Sequence, residues 1–209
     1  MPIIYPGKLL LDDNHQRVQA HGGGIFYEGN HYYFYGENKE FTTGKNKIWT
    51  WGVKYYSSDN LVDWKEQGFL IKPHLEDKSS YLHPFHYLDR PHIVKNKGTG
   101  KYICYLKFSN PKTESFFMIL EAEKFQGPYH IVKNEFRPFG LLVGDFDIYV
   151  DQNQNAYLYF SNMKDGIVGC KLSDDYLDVV GEYRRYYSGL NFPFSREGVA
   201  LFEYQNNLF

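Results

Sequence analysis

One phrase recurs four times along this chain and limits its fold more than any other feature. Residues 147–161 read DIYVDQNQNAYLYFS: an apolar arm, an Asn-rich turn and an aromatic arm, the pattern of a β-hairpin. The same phrase appears as GIFYEGNHYYFYG at 24–36 and as HIVKNKGTGKYICYL at 92–106. A fourth copy, VALFEYQNNLF, runs from Val199 to the last residue. With Ile25, Ile93, Ile148 and Ala200 taken as equivalent, the intervals are 68, 55 and 52 residues. A diverged hairpin at this period points to a radial or solenoidal all-β architecture. Four unrelated hairpins in an ordinary sandwich are the alternative that the repeats alone leave open.

The repeat is larger than a hairpin. After the first copy come a strand over 52–58, a Ser-Ser-Asp-Asn turn at 57–60 and an outer strand reaching Ile71. Counterparts lie at 117–132 and 168–182, so each unit is expected to be a four-stranded meander. No stretch of useful length keeps a capped apolar period of 3.6, so no helix is expected. Three units and the opening hairpin of a fourth make about three and a half blades. A propeller closes with roughly four to eight. The chain also stops in mid-hairpin, at Asn206-Asn207-Leu208-Phe209. It is therefore expected to be part of a longer chain, with residues 1–209 forming one partial propeller domain. Its open blade edges would favour self-association. Long loops fall at 41–50, 72–88, 109–115 and 183–196, and in a repeat fold such loops gather on one face.

Charge excludes some partners. The chain has 23 basic and 25 acidic residues, a formal net charge of −2, and no basic run. Nucleic acid and an anionic membrane are poor partners for it. No stretch is long enough to span a membrane, and the apolar run within residues 1–13 is short for a signal peptide. A secreted or periplasmic location is expected if a leader was removed, and a cytoplasmic one otherwise. Cys104 and Cys170 fall in expected strands and read as single buried thiols rather than a disulfide or metal motif. Aromatics make up 19% of the residues, enough both for a β core and for rings that stack on flat ligands.

The residues able to carry chemistry stand just before the first strand of each unit. They are Ala20-His21-Gly22-Gly23, Leu88-Asp89-Arg90-Pro91, Gly144-Asp145-Phe146-Asp147 and Ser195-Arg196-Glu197-Gly198. In a propeller the first strands line the central channel, so equivalent positions meet at one mouth of it. Asp89, Asp145 and Glu197 would then be neighbours. Clustered carboxylates suit glycosidic cleavage, because one must stay protonated to assist the leaving oxygen and nearby negative charge favours that. Acidic caps at strand starts are the plainer alternative.

On these motifs the chain resembles glycoside hydrolase family 43, and within it the branch containing exo-β-1,3-galactanases. The resemblance rests on HGGGIFYEGNHYYFYGENK, GVKYYSSDNLVDWKEQG, LDRPHIVKNKGTGKYICYLK, GDFDIYVDQNQNAYLYFS and REGVALF, in the family's order over almost the whole chain. It implies a five-bladed β-propeller of four-stranded antiparallel blades, acting on plant-type glycans with inversion and without a cofactor. It also implies that Glu197 is the general acid and that Asp145 orients substrate or tunes the acid. Asp89 matches the second-blade carboxylate, with Arg90 and Arg196 beside the substrate. Three departures stand out. Asp89 replaces the branch's glutamate. Gly144 stands where an arginine precedes the aspartate. The common family's base aspartate is absent at Ala20-His21, and the branch is thought to draw its base from a later blade, beyond Phe209.

Other residues carry two readings each. His21 is a hydrogen-bonding or structural histidine rather than a base. Glu37 either faces the pocket from the end of the second strand or is a solvated turn residue. Trp49 and Trp51 flank Thr50 and supply either a sugar platform or core anchors. His74, His83, His86 and His92 match no tight zinc spacing, so no metal is expected. Gly22–Gly24 lacks the lysine and following helix of a phosphate loop. The expected function is an exo-glycosidase for an oligo- or polysaccharide. The alternatives are a carbohydrate-binding propeller without turnover and an inactive fragment.

Overall fold

The computed structural model describes residues 3–110, 114–162, 166–189, 197–205 and 207–209. The fold is all-β, with three four-stranded antiparallel sheets and a two-stranded piece. The first sheet contains β1 (His21–Glu28), β2 (His31–Glu37), β3 (Val53–Ser58) and β4 (Lys65–Ile71), paired in chain order. The second contains β5 (Leu88–Lys95), β6 (Tyr102–Asn110), β7 (Glu114–Ala122) and β8 (His130–Phe136), again in chain order. The third contains β9 (Phe146–Val150), β10 (Ala156–Asn162), β11 (Gly166–Leu172) and β12 (Val179–Tyr186). It is likewise a meander. Among the described residues the one helical element is a three-residue 3-10 turn, Pro138–Gly140.

The first hairpin shows how sequence sets register. Glu28 pairs with His31 across Gly29-Asn30, whose φ angles are 59° and 66°. Two left-handed residues make the turn whose twist matches the strands, which is why Gly-Asn stands there. At the other end of β1 the register slips between His21 and Gly24, placing His21 opposite Glu37. A Cβ on Gly23 would lie 1.7 Å from the Tyr35 carbonyl oxygen, so only glycine fits this close approach.

The chain divides into two compact units, residues 1–93 with 125–129, and residues 94–124 with 130–209. In the first unit the core is an aromatic pile around Phe125, which is 1% exposed. Phe26 stacks on it at 4.9 Å and Tyr33 tilts against it at 4.8 Å. In the second unit Tyr105, Phe117, Phe146, Phe160 and Tyr176 form the centre of the core. Phe117 and Phe146 lie 4.5 Å apart, and the buried Tyr105 hydroxyl donates to the Tyr176 carbonyl at 2.8 Å. Burial of that phenol pushes its pKa well up. Cys104 and Cys170 are buried free thiols, as their strand positions imply.

The fourth repeat differs from its expected form. Ala200 lies outside any strand, and the hairpin is short, with β13 (Glu203–Tyr204) and β14 (Asn207–Leu208) extended by the backbone hydrogen bonds that Phe202 and Phe209 exchange. The Leu201 amide, expected to join a ladder, donates instead to Asp147 Oδ2 at 2.7 Å. The expected strand bounds also move elsewhere. β8 extends to Phe136 and β12 to Tyr186, past the apolar stretches that marked them. Backbone pairing carries a strand on through polar residues once its neighbour is in place.

Candidate active site

In the first unit the polar centre is Glu37, the last residue of β2. It is 1% exposed, so the solvated-turn reading of Glu37 is wrong. A buried carboxylate needs donors on both oxygens. Oε1 accepts from the Arg90 backbone N–H at 3.0 Å and lies 3.2 Å from His21 Nδ1. Oε2 meets Lys39 Nζ at 2.5 Å and the Thr50 hydroxyl at 3.3 Å. Burial alone would raise the Glu37 pKa. The His21 hydrogen bond and the Lys39 charge outweigh it and hold the carboxyl below its ordinary range. The same hydrogen bond from Glu37 raises the His21 imidazole. His21 itself remains exposed, with a side chain 66% accessible.

Arg90 adopts φ 49°, a left-handed conformation that is rare for a side-chain residue and further disfavoured before Pro91. The strain turns its amide toward Glu37. Its neighbour Asp89 is buried, and Asp89 Oδ1 accepts from the Trp49 indole N–H at 2.5 Å. Trp51 is half-buried and packs edge-on against Phe41 at 4.9 Å. Five of the residues expected at the site, His21, Glu37, Trp49, Asp89 and Arg90, therefore share one hydrogen-bonded cluster.

In the second unit Asp145 directly precedes β9. Its carbonyl accepts from the Ser161 amide at 2.8 Å, extending the β9–β10 ladder. Its carboxylate meets Lys107 Nζ at 2.9 Å, both side chains being nearly buried. A Cβ on Gly144 would lie 2.2 Å from Ser161 Oγ, which explains why no side chain stands there. The cation beside Asp145 comes across from β6 instead. Glu197 is exposed, in a stretch without regular pairing, while Arg196 lies outside the described residues. Asp147 Oδ2 and the Tyr149 hydroxyl, two residues apart on β9, reach Leu201 N and Glu203 Oε2, the latter at 2.6 Å. They tether the segment that follows Glu197.

Sequence reasoning missed Lys39, Thr50 and Lys107. Lys39 stands two residues from its partner Glu37, a local signal that was available, whereas Thr50 and Lys107 lie 13 and 38 residues from theirs and carry no local mark.

The model of "Glycosyl hydrolases family 43" matches residues 21–209. No curated protein matches. Among solved structures, a family 43 β-1,3-galactosidase is 26% identical with a TM-score of 0.82, covering 96% of this chain and 41% of that one. An exo-β-1,3-galactanase from Phanerochaete chrysosporium, solved with β-1,3-galactotriose, is 22% identical with a TM-score of 0.77, over 88% of this chain and 43% of that one. An exo-β-1,3-galactanase from Clostridium thermocellum is 21% identical with a TM-score of 0.72, over 85% and 39%. The chain thus spans about two fifths of the length of these relatives. Its three sheets and two-stranded piece correspond to part of a five-bladed propeller. A family match that begins at His21, the first residue of the Glu37 cluster, and runs to the last residue makes the chain a member of glycosyl hydrolases family 43.

Proposed function

We propose that this chain carries part of the active site of a glycoside hydrolase that cleaves O-glycosidic bonds in plant-type polysaccharides, acting from the chain end on β-1,3-linked galactan with inversion. One observation carries the reading. Asp89 and Asp145 each stand at the start of a sheet's first strand, mostly buried, and each is held by a fixed donor, Trp49 or Lys107. Preorganised carboxylates of this kind bind and orient sugar hydroxyls without rearranging during the reaction. The galactosidase and galactanases among the relatives support a galactose-type substrate.

In this reading Glu197 is the general acid. It gives its proton to the glycosidic oxygen as the bond to the anomeric carbon breaks, and the leaving sugar departs neutral. A water on the opposite face attacks that carbon and loses its proton to a base lying about 6.5–9.5 Å from the acid. Asp145 orients the sugar and sets the field around the acid, and Asp89 and Arg90 hold its hydroxyls. His21 and Arg196 complete the binding residues, and the buried Glu37 holds His21 and the Arg90 amide in place. None of these residues is assigned as the base.

The test is Glu197→Gln, assayed by galactose release from β-1,3-galactan. Turnover should fall by roughly 10²–10⁴-fold with sugar binding retained. Full turnover by the variant would remove Glu197 from the acid role. If the unsubstituted protein binds galactan and never cleaves it, the non-catalytic carbohydrate-binding reading replaces this one.

A further inference from the structure

Trp49 is held more firmly than a stacking platform requires. Its amide donates to the Pro84 carbonyl at 2.8 Å. Its own carbonyl accepts from Lys39 Nζ at 2.8 Å and from the Thr42 hydroxyl at 2.9 Å. Lys39 Nζ also lies 4.4 Å from the centre of the indole ring, and Tyr87 meets the ring edge-on at 5.1 Å. Backbone and ring are thus fixed from four sides, and the indole N–H is directed at Asp89 Oδ1. Across the next peptide, Glu37 takes the Arg90 amide. Lys39 links the two halves, because the same ammonium that covers Trp49 pairs with Glu37.

We infer that Trp49 is a positioning residue for Asp89, acting through its indole N–H, and that Lys39, Trp49 and Glu37 form a clamp on Asp89-Arg90. The physical case is one of reach and desolvation. Asp89 is a short carboxylate and is 8% exposed, so its oxygens need a built donor to remain in one rotamer. An indole N–H donates only and carries no charge. It therefore orients the carboxylate without itself adding a charge to it. The consequence for turnover rests on the glycosidase reading above; the clamp itself does not.

Two variants separate this role from stacking. Trp49→Phe keeps an aromatic face and removes the N–H, whereas Trp49→Ala removes both. The indole N–H resonance of Trp49 is assigned by its loss in Trp49→Phe, since the chain has only three tryptophans. That proton should exchange slowly in the unsubstituted protein. In Asp89→Ala it should exchange about 10- to 100-fold faster and move upfield, while the other two indoles stay unchanged. Galactan turnover, or β-1,3-galactobiose affinity if there is no turnover, should fall by a similar factor in both Trp49→Phe and Trp49→Ala. An indole proton indifferent to Asp89→Ala would overturn the clamp. So would a Trp49→Phe protein that behaves as the parent while Trp49→Ala fails, because stacking alone predicts that result. A parent without turnover whose indole still responds to Asp89→Ala removes the hydrolase reading and leaves the clamp standing.

Discussion

Lys107 Nζ lies 2.9 Å from Asp145 Oδ1, with the two side chains 12% and 13% exposed. Removing one partner of such a pair leaves a poorly solvated charge, which costs more than the pair itself is worth. Lys107→Met should therefore lower stability by about 3 kcal/mol in urea denaturation. Lys107→Met combined with Asp145→Asn should cost less than Lys107→Met alone. A double-variant loss equal to the sum of the Lys107→Met and Asp145→Asn losses, each measured alone, would show that the pair is not coupled.

The His21–Glu37 contact makes stability depend on pH in two windows. His21 has a folded pKa raised above its ordinary 6.5, so its contribution is full below that value and is lost as pH rises through the folded pKa. Glu37 has a folded pKa below its ordinary 4.5, so its contribution is present above that value and is lost as pH falls through the folded pKa. Melting temperature should decline on the alkaline side of 6.5 in the parent and decline less in His21→Gln. Identical alkaline limbs in the two proteins would rule out a His21 contribution.

Gly23 should tolerate no side chain. A Cβ there would sit 1.7 Å from the Tyr35 carbonyl oxygen, a backbone atom that cannot swing aside. Gly23→Ala should cost about 3 kcal/mol or more and lower the yield of folded protein. Gly29→Ala, at a position with no atom within 4 Å of the added Cβ but with φ 59°, should cost less than Gly23→Ala. Thermal melts of the two variants decide the order.

β1 ends its sheet with Ile25 55% and Tyr27 57% exposed, an apolar edge strand open to pairing. The 209-residue chain is expected to self-associate, with a sedimentation coefficient that rises with concentration. Lys at both positions should shift it toward monomer. A parent that stays monomeric across the concentration range would show that the edge is protected.

Local pattern alone determined the strands, the hairpin turns and the repeat. Gly29-Asn30 must turn, Ala156–Asn162 must run extended, and three meanders follow from their recurrence. These are short-range consequences of φ/ψ preference and alternation, so they are legible without a partner. The same periodicity singled out Asp89, Asp145 and Glu197, because equivalent positions in a repeat occupy equivalent places. The tertiary structure decided what Asp89 and Asp145 meet. Glu37 reads equally as a pocket residue or a solvated turn residue until the fold buries it. Lys107 acquires Asp145 only when β6 and β9 belong to one packed unit. Trp49 lies 40 residues from Asp89 in the chain, and only the return of its loop brings the indole N–H to that carboxylate. Charge and hydrogen-bond partners at such separations depend on which loop folds over which strand, and no local preference encodes that.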